Sequence, residues 1–352
     1  MAVINKDYAN IKKGTTDLQR LYAGNTLIWE LETPQPTPTG YSNEYLTFIA
    51  KGNGNNRFSF SGSSWVQGGN TFSNKISYSL DSGVTWSEPS SSVNINVNSG
   101  DTVMWKGEMT PDSNHSNGIG TFSNSNTFFD IQGNVMSLLY GDNFANQTDL
   151  TNLSYAFNGL FSMYWVISAE NLILPATILS SRCYQGMFQS CSYLTTPPQL
   201  PATTLASICY SSMFSGCRSL TTAPQLQATT LANNCCREMF YGCTSLTTPP
   251  SLPATALTNN CYEGMFQGCT SLTTAPELPA TTLANSCYYC MFRDCTSLNY
   301  IKMLATDISA SGCLYFWVDG VAATGTFVKA ASMTSLPTGF NGIPTSWTVQ
   351  NE

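Results

Sequence analysis

The chain has 352 residues, more than one compact core usually holds, so two or three domains, or a domain joined to a repeat array, are expected. Charged residues make up only 10%, against roughly 25% in an ordinary domain, and Gly, Ser, Thr and Asn are abundant, which predicts a neutral, hydroxyl-rich surface. A net charge of -7 with no basic run longer than Lys12-Lys13 excludes a row of phosphate contacts, and hence nucleic acid as a partner; no segment reaches the ~18 apolar residues of a membrane span, so no membrane insertion is expected.

Residues 1–33 read as an N-terminal β anchor. Leu18-Gln-Arg-Leu-Tyr-Ala23 and Thr26-Leu-Ile-Trp-Glu-Leu31 flank Gly24-Asn25, a turn that supplies the positive φ angles of a tight hairpin. A lone hairpin buries too little to stand by itself, which makes Leu21, Tyr22, Leu27, Ile28 and Trp29 the candidate residues for docking onto a partner protein. The opening carries Asp7, Lys12, Lys13 and Asp17 and no apolar signal core, so a product made in a cytosol is expected. Alternate prolines make residues 34–39 a stiff linker. From 40 to 145, runs such as Tyr45-Leu-Thr-Phe-Ile49, Ile76-Ser-Tyr-Ser-Leu80 and Thr102-Val-Met-Trp105 alternate apolar with polar between turn-forming clusters, the spacing of a β-sandwich.

Five 26-residue copies then begin at Leu174, Leu200, Leu226, Leu252 and Leu278, without insertion. In one copy, Leu205-Ala206, Cys209-Tyr210, Met213-Phe214 and Cys217 recur every four residues. That spacing predicts an α-helix with one buried face, capped by Thr203 or Thr204 and left at Gly216, as at Gly242 and Gly268 in other copies. Leu220-Thr-Thr222 supplies an extended stretch. A helix of about 12 residues is marginal in water, so the copies are expected to stack into an α/β leucine-rich-repeat solenoid. The array spans 146–313, with an irregular echo at Tyr155-Ala-Phe-Asn-Gly-Leu160, and 314–352 form a β-rich C-terminal cap.

All 13 cysteines lie between Cys183 and Cys313, eleven of them at two in-register positions, which predicts buried free thiols. Disulfides are disfavoured because stacked helices lie roughly 8–10 Å apart, beyond the ~7 Å that a bridge tolerates between Cα atoms. Cys287-Tyr-Tyr-Cys290 has no second pair and no nearby histidine, so no metal is expected. His115, the one histidine, lies in a turn-like loop, and Glu238, Glu263 and Glu277 are scattered over variable positions. Neither a hydrolase triad nor a glycosidase pair stands out. The chain is therefore read as no enzyme, with no catalytic residue and no cofactor. Trp86 and Trp105 lie in alternating strands and read as core, whereas Trp65, among Ser, Gly and Gln, is a candidate exposed platform for a sugar ring. The variable repeat positions offer Arg237, Glu238 and Tyr241 on the helix exterior, and Gln199, Gln225 and Glu277 near the extended stretch, as candidate ligand contacts.

Met265-Phe-Gln-Gly-Cys-Thr-Ser-Leu272 resembles the BspA-type leucine-rich repeat of bacterial surface and phage proteins. The resemblance covers roughly residues 145–350 and includes Gly325-Thr-Phe-Val-Lys329 and Ile343-Pro-Thr-Ser-Trp-Thr-Val349. Ile76-Ser-Tyr-Ser-Leu-Asp-Ser-Gly-Val-Thr-Trp86 and Gly133-Asn-Val-Met-Ser-Leu-Leu-Tyr140 resemble the β module that precedes such repeats. Ile11-Lys-Lys-Gly-Thr-Thr16 and Leu21-Tyr-Ala-Gly-Asn-Thr-Leu-Ile-Trp29 are similar to N-terminal segments of fibre and decoration proteins of crAss-like tailed phages. The resemblance implies an attachment role in a virion, as a head or tail fibre or a decoration protein. Residues 1–33 would dock to other virion proteins, the solenoid would face a host-surface glycan or protein, and, as in fibres generally, the assembly would be a homotrimer. Such a protein is made in the host cytoplasm and released by lysis. A secreted BspA-like bacterial surface adhesin and a glycan-degrading tailspike are the alternatives.

Overall fold

The computed structural model describes residues 12–13, 16–17, 20–23, 26–30, 43–59, 65–67, 70–72, 75–89, 92–108, 119, 121–122, 127–161 and 165–352. The chain divides into two compact units, residues 1–39 and 40–352. In the first, β1 (Lys12–Lys13) pairs with β2 (Thr16–Asp17), and β3 (Arg20–Ala23) pairs antiparallel with β4 (Thr26–Glu30), placing Leu21 opposite Trp29 and Tyr22 opposite Leu27.

The second unit opens with β5 (Leu46–Ala50), β6 (Gly54–Ser59), β7 (Trp65–Gln67), β8 (Asn70–Phe72), β9 (Lys75–Ser79), β10 (Ser92–Val97), β11 (Thr102–Glu108) and β12 (Phe129–Asn134). β7 and β8 form a small hairpin. β6 and β10 form an antiparallel ribbon whose Phe58, Ile95 and Val97 are buried. The main sheet has five strands in the order β13-β12-β5-β11-β9, where β13 (Val166–Ile173) runs parallel to β12 and the other pairs are antiparallel. Alternation along β5 buries Leu46, Phe48 and Ala50 on one side. The Phe48 ring lies 5.9 Å from Phe58 of the ribbon, 5.7 Å from Trp105 and 5.4 Å from Trp165. Helix α1 (Ser137–Tyr140) is tied to the sheet by Ser137, whose buried hydroxyl donates to the Trp105 carbonyl and accepts from the Leu46 amide.

No break separates sheet from repeats at the boundary expected near 145. β13 belongs to both: its Val166–Ile173 stretch pairs with β12, and its Ala169 amide donates to the carbonyl of Thr196 in the first clean copy. Buried residues from Leu46 to Trp347 form one continuous core.

The copies themselves depart from the expected helices. Among the described residues α1 is the only α-helix, and the Cys/Tyr/Met/Phe segments are runs of overlapping turns. In the copy at 206–217, Cys209, Ser211, Met213, Ser215 and Cys217 donate their amides three residues back, whereas Ile208, Tyr210, Ser212, Phe214 and Gly216 donate to carbonyls of the next copy, Asn233 to Tyr241. The third residue of every second turn has positive φ, the geometry of a type II turn: Ile208 61°, Ser212 53° and Gly216 77°. An α-helix would keep all these amides to itself; here half of them join copy to copy. The apolar spacing of four also fits the turns better, since on a helix of 3.6 residues per turn it drifts by about 40° per step. Thr203 and Thr204, expected as caps, are rungs instead. The Thr203 carbonyl accepts from the Thr229 and Thr230 amides, and Thr204 bridges Thr230 in parallel.

The inward pairs stack in register. Phe188, Phe214, Phe240, Phe266 and Phe292 follow one another with centroids 5.5, 5.6, 5.7 and 5.7 Å apart and planes within 8°. At the far end β14 (Tyr300–Met303), β15 (Thr326–Lys329) and β16 (Thr348–Asn351) form a parallel sheet. Buried Trp317 and Trp347 donate their indole N–H groups to Gly342 and Ala322 carbonyls, closing the core.

Candidate functional site

Because the turn runs bury one pair in every four residues, the other pair forms rows toward the outside, in which Gly186, Ser211, Ser215, Gly264 and Cys290 are nonetheless buried. One row reads Gln185, Ser211, Arg237, Glu263, Tyr289 and Tyr315; a second reads Gly186, Ser212, Glu238, Gly264, Cys290 and Phe316; a third reads Gln189, Ser215, Tyr241, Gln267, Arg293 and Asp319. The structure thus brings Arg237, Glu238 and Tyr241 onto one face, and ties two of them into intercopy contacts. Arg237 pairs with Glu238 at 3.0 Å and with Glu263 of the next copy at 3.2 Å, and Ser212 donates to Glu238 at 3.5 Å. Tyr241 is 44% exposed.

Gln199, Gln225 and Glu277 share a different row, beside the parallel bridges of the extended stretches. Gln225 Oε1 accepts from the Ser251 amide and hydroxyl, 3.1 and 3.2 Å away, and Lys302 holds both Glu277 and Glu352 at 2.9 Å. These side chains lace neighbouring copies together, a role the variable positions did not announce. Trp65 starts β7, and the anchor residues Leu21, Tyr22, Leu27, Ile28 and Trp29 lie on β3 and β4; their side chains, like His115, are outside the described residues.

A cavity of about 200 Å³ opens where β9 meets β11, lined by Lys75, Ser77, Glu88, Lys106, Glu108 and Asp142. Register explains it, because Lys106 stands opposite Ser77 and Glu108 opposite Lys75 on one face of the sheet. Asp142 accepts from Lys106 and from the Tyr45 hydroxyl, both at 2.7 Å. The Lys106 bond leads in holding the Asp142 carboxyl below the usual range, and burial followed by the Asp142 bond pushes the Tyr45 phenol up to about 12. Trp86, expected in the core, is half-buried with the Lys106 ammonium 4.3 Å over its ring; Trp105 is buried.

The thirteen thiols are free and buried. Their expected separation was too large, because hydrogen-bonded neighbours in register lie about 4.8 Å apart, not a helix diameter. The thiols of Cys191, Cys217, Cys243, Cys269 and Cys295 instead donate to Phe carbonyls in preceding copies, Cys217 to Phe188 at 3.2 Å and Cys243 to Phe214 at 3.1 Å. Burial pushes Cys183, Cys243, Cys287 and Cys295 up to about 12, so they hold their protons at neutral pH and offer no thiolate nucleophile. Cys290, expected at an outward position, is buried there, and burial raises its thiol against the opposing Arg293 bond. Among the described residues no three or more His, Cys, Asp or Glu side chains are grouped to hold a metal, and no helix is long and apolar enough to cross a membrane. Comparison with protein-family models, curated proteins and solved structures gives no match to this chain.

Proposed function

We propose that this chain is a structural, adhesive component of a tailed-phage virion, a head or tail fibre or decoration protein. In this reading residues 1–33 anchor it to other virion proteins, the stacked copies form a solenoid, and their outer rows meet a host-surface glycan or protein. It works by binding, without a cofactor, and as a homotrimer. The observation that carries the reading is how the copies use their chemistry. The thiols are spent on the interior, where Cys209, Tyr210, Met213 and Phe214 are at most 1% exposed, while the exposed and half-buried positions of the turn runs carry residues as different as Gln185, Arg237, Glu263 and Tyr315. A constant interior under a variable surface suits display. Separation of residues 1–39 as a unit of their own suits an anchor.

Deletion of residues 1–33 tests it. The shortened chain is expected to be soluble and folded and to be lost from purified particles, measured by mass spectrometry of virions from a strain complemented with each form. Incorporation at the full-length level overturns the anchor.

A further inference from the structure

The outer rows change character at one end. Where four copies carry Gln185, Ser211, Arg237 and Glu263, the fifth carries Tyr289 and the segment after it carries Tyr315 in the same register, and the neighbouring row ends in Phe316. Tyr289 stacks on Tyr315 with centroids 5.9 Å apart and planes 17° apart. Tyr315 meets Phe316 edge-on at 4.3 Å, and Phe316 stacks on Phe340 at 5.1 Å and 12°. Tyr315 is 46% and Phe340 48% exposed, whereas most aromatic rings among the described residues are buried.

The backbone is strained at the centre of this cluster. Phe316 has φ 53°, the conformation the turn run imposes at this position in every copy, on Ser212, Glu238 and Cys290 as well as on Gly186 and Gly264, and a bulky residue bears it at a cost. Around the rings lies a polar rim: the Arg293 guanidinium is 5.7 Å from the Phe316 centroid, with Asp294 and Asp319 each 3.7 Å from its Nε. One cation against two carboxylates gives no attraction for an anion.

We propose that this end of the array binds a neutral saccharide. The C–H face of a pyranose ring lies on Tyr315, where the electron-rich ring face attracts it; Phe340, nearly parallel to Phe316 and so steeply inclined to Tyr315, bounds the sugar's edge, and the sugar hydroxyls bond to Arg293 and Asp319. The inference rests on the attachment reading and gives it a ligand class. Size favours a sugar over a protein: at half exposure of the ~200 Å² each ring carries, Tyr315 and Phe340 offer about 200 Å² together, well under the ~800 Å² a stable protein interface takes from each partner.

The test applies the full chain to immobilised neutral oligosaccharides built from glucose, galactose, mannose, fucose and N-acetylglucosamine. Retention on at least one member, competed by the same free sugar, is expected. Tyr315→Ser copies Ser211 of the same row, so it should fold normally, and it and Phe340→Ser should each weaken retention at least tenfold; Gln267→Ser should change nothing. Phe316→Gly relieves the backbone and withdraws support from Phe340, so its Tm should hold or rise while retention falls. Retention of no member, or retention indifferent to Tyr315→Ser and Phe340→Ser, overturns the proposal. Particle incorporation is read separately: a chain that incorporates but captures a protein and no sugar keeps the attachment role and loses this ligand class, whereas a chain that fails to incorporate yet retains sugar does the reverse.

Discussion

Cys217 illustrates what one side chain does in the array. It fills interior volume as a small apolar group and gives its S–H to the Phe188 carbonyl, which already accepts the amide of Cys191. Nine residues earlier in the same turn run, backbone conformation governs the choice instead. Arg182, Ile208, Asn234, Asn260, Ser286 and Gly312 occupy equivalent positions, all with positive φ. Asn and Gly suit that region, and Ile, branched at Cβ, does not. Ile208→Asn is therefore expected to stabilise the chain by about 1 kcal/mol, because the left-handed conformation costs an ordinary residue ~1–2 kcal/mol and asparagine less. Thermal or urea melts check it; a fall in stability would mean that the partly buried Ile208 side chain outweighs its backbone strain.

At the scale of the element, a turn run satisfies only half of its amides internally and depends on its neighbours for the rest. Far-ultraviolet circular dichroism should accordingly lack the double minimum of a helix, and a helical spectrum would rule out the turn runs. The period, the inward residues and the stacking partner of each were legible in the 26-residue repeat, because stacked neighbours carry the same residues in register. The element type was not, since pairs spaced by four suit a helix and a turn run alike. The discriminating signal was present in Gly186, Asn234, Asn260, Gly264 and Gly268, residues that tolerate positive φ at fourfold spacing, alongside helix-poor Cys, Thr and Ser. Nothing local pointed to β13 as a shared strand, because its pairing with Phe129–Asn134 is a long-range contact. The outer site was half visible: the change to Tyr289, Tyr315 and Phe316 can be read from the repeat, but the approach of Phe340 required the fold.

Over the whole molecule, one core runs from Leu46 to Trp347, so proton linkage at any buried thiol acts on a large part of the chain. Burial lifts Cys183, Cys243 and Cys295 to about 12, whereas unfolded thiols titrate near ~8.5. Above that value the unfolded state sheds protons that the folded state keeps. The thiols' contribution, complete below ~8.5, is lost progressively until the folded groups titrate, at ~1.4 kcal/mol per pH unit each, or ~4 kcal/mol per unit for these three. Urea midpoints should fall steeply between about pH 8.5 and 10.5; a flat profile would place the thiols in solvent. The central claim, that the recurring cysteines are interior contacts between stacked copies, is tested most directly by counting thiols with Ellman's reagent, without prior reduction. Essentially none of the thirteen should react promptly in the native chain and all thirteen after denaturation. Prompt reaction of several in the native state, or a denatured count well below thirteen, would contradict it.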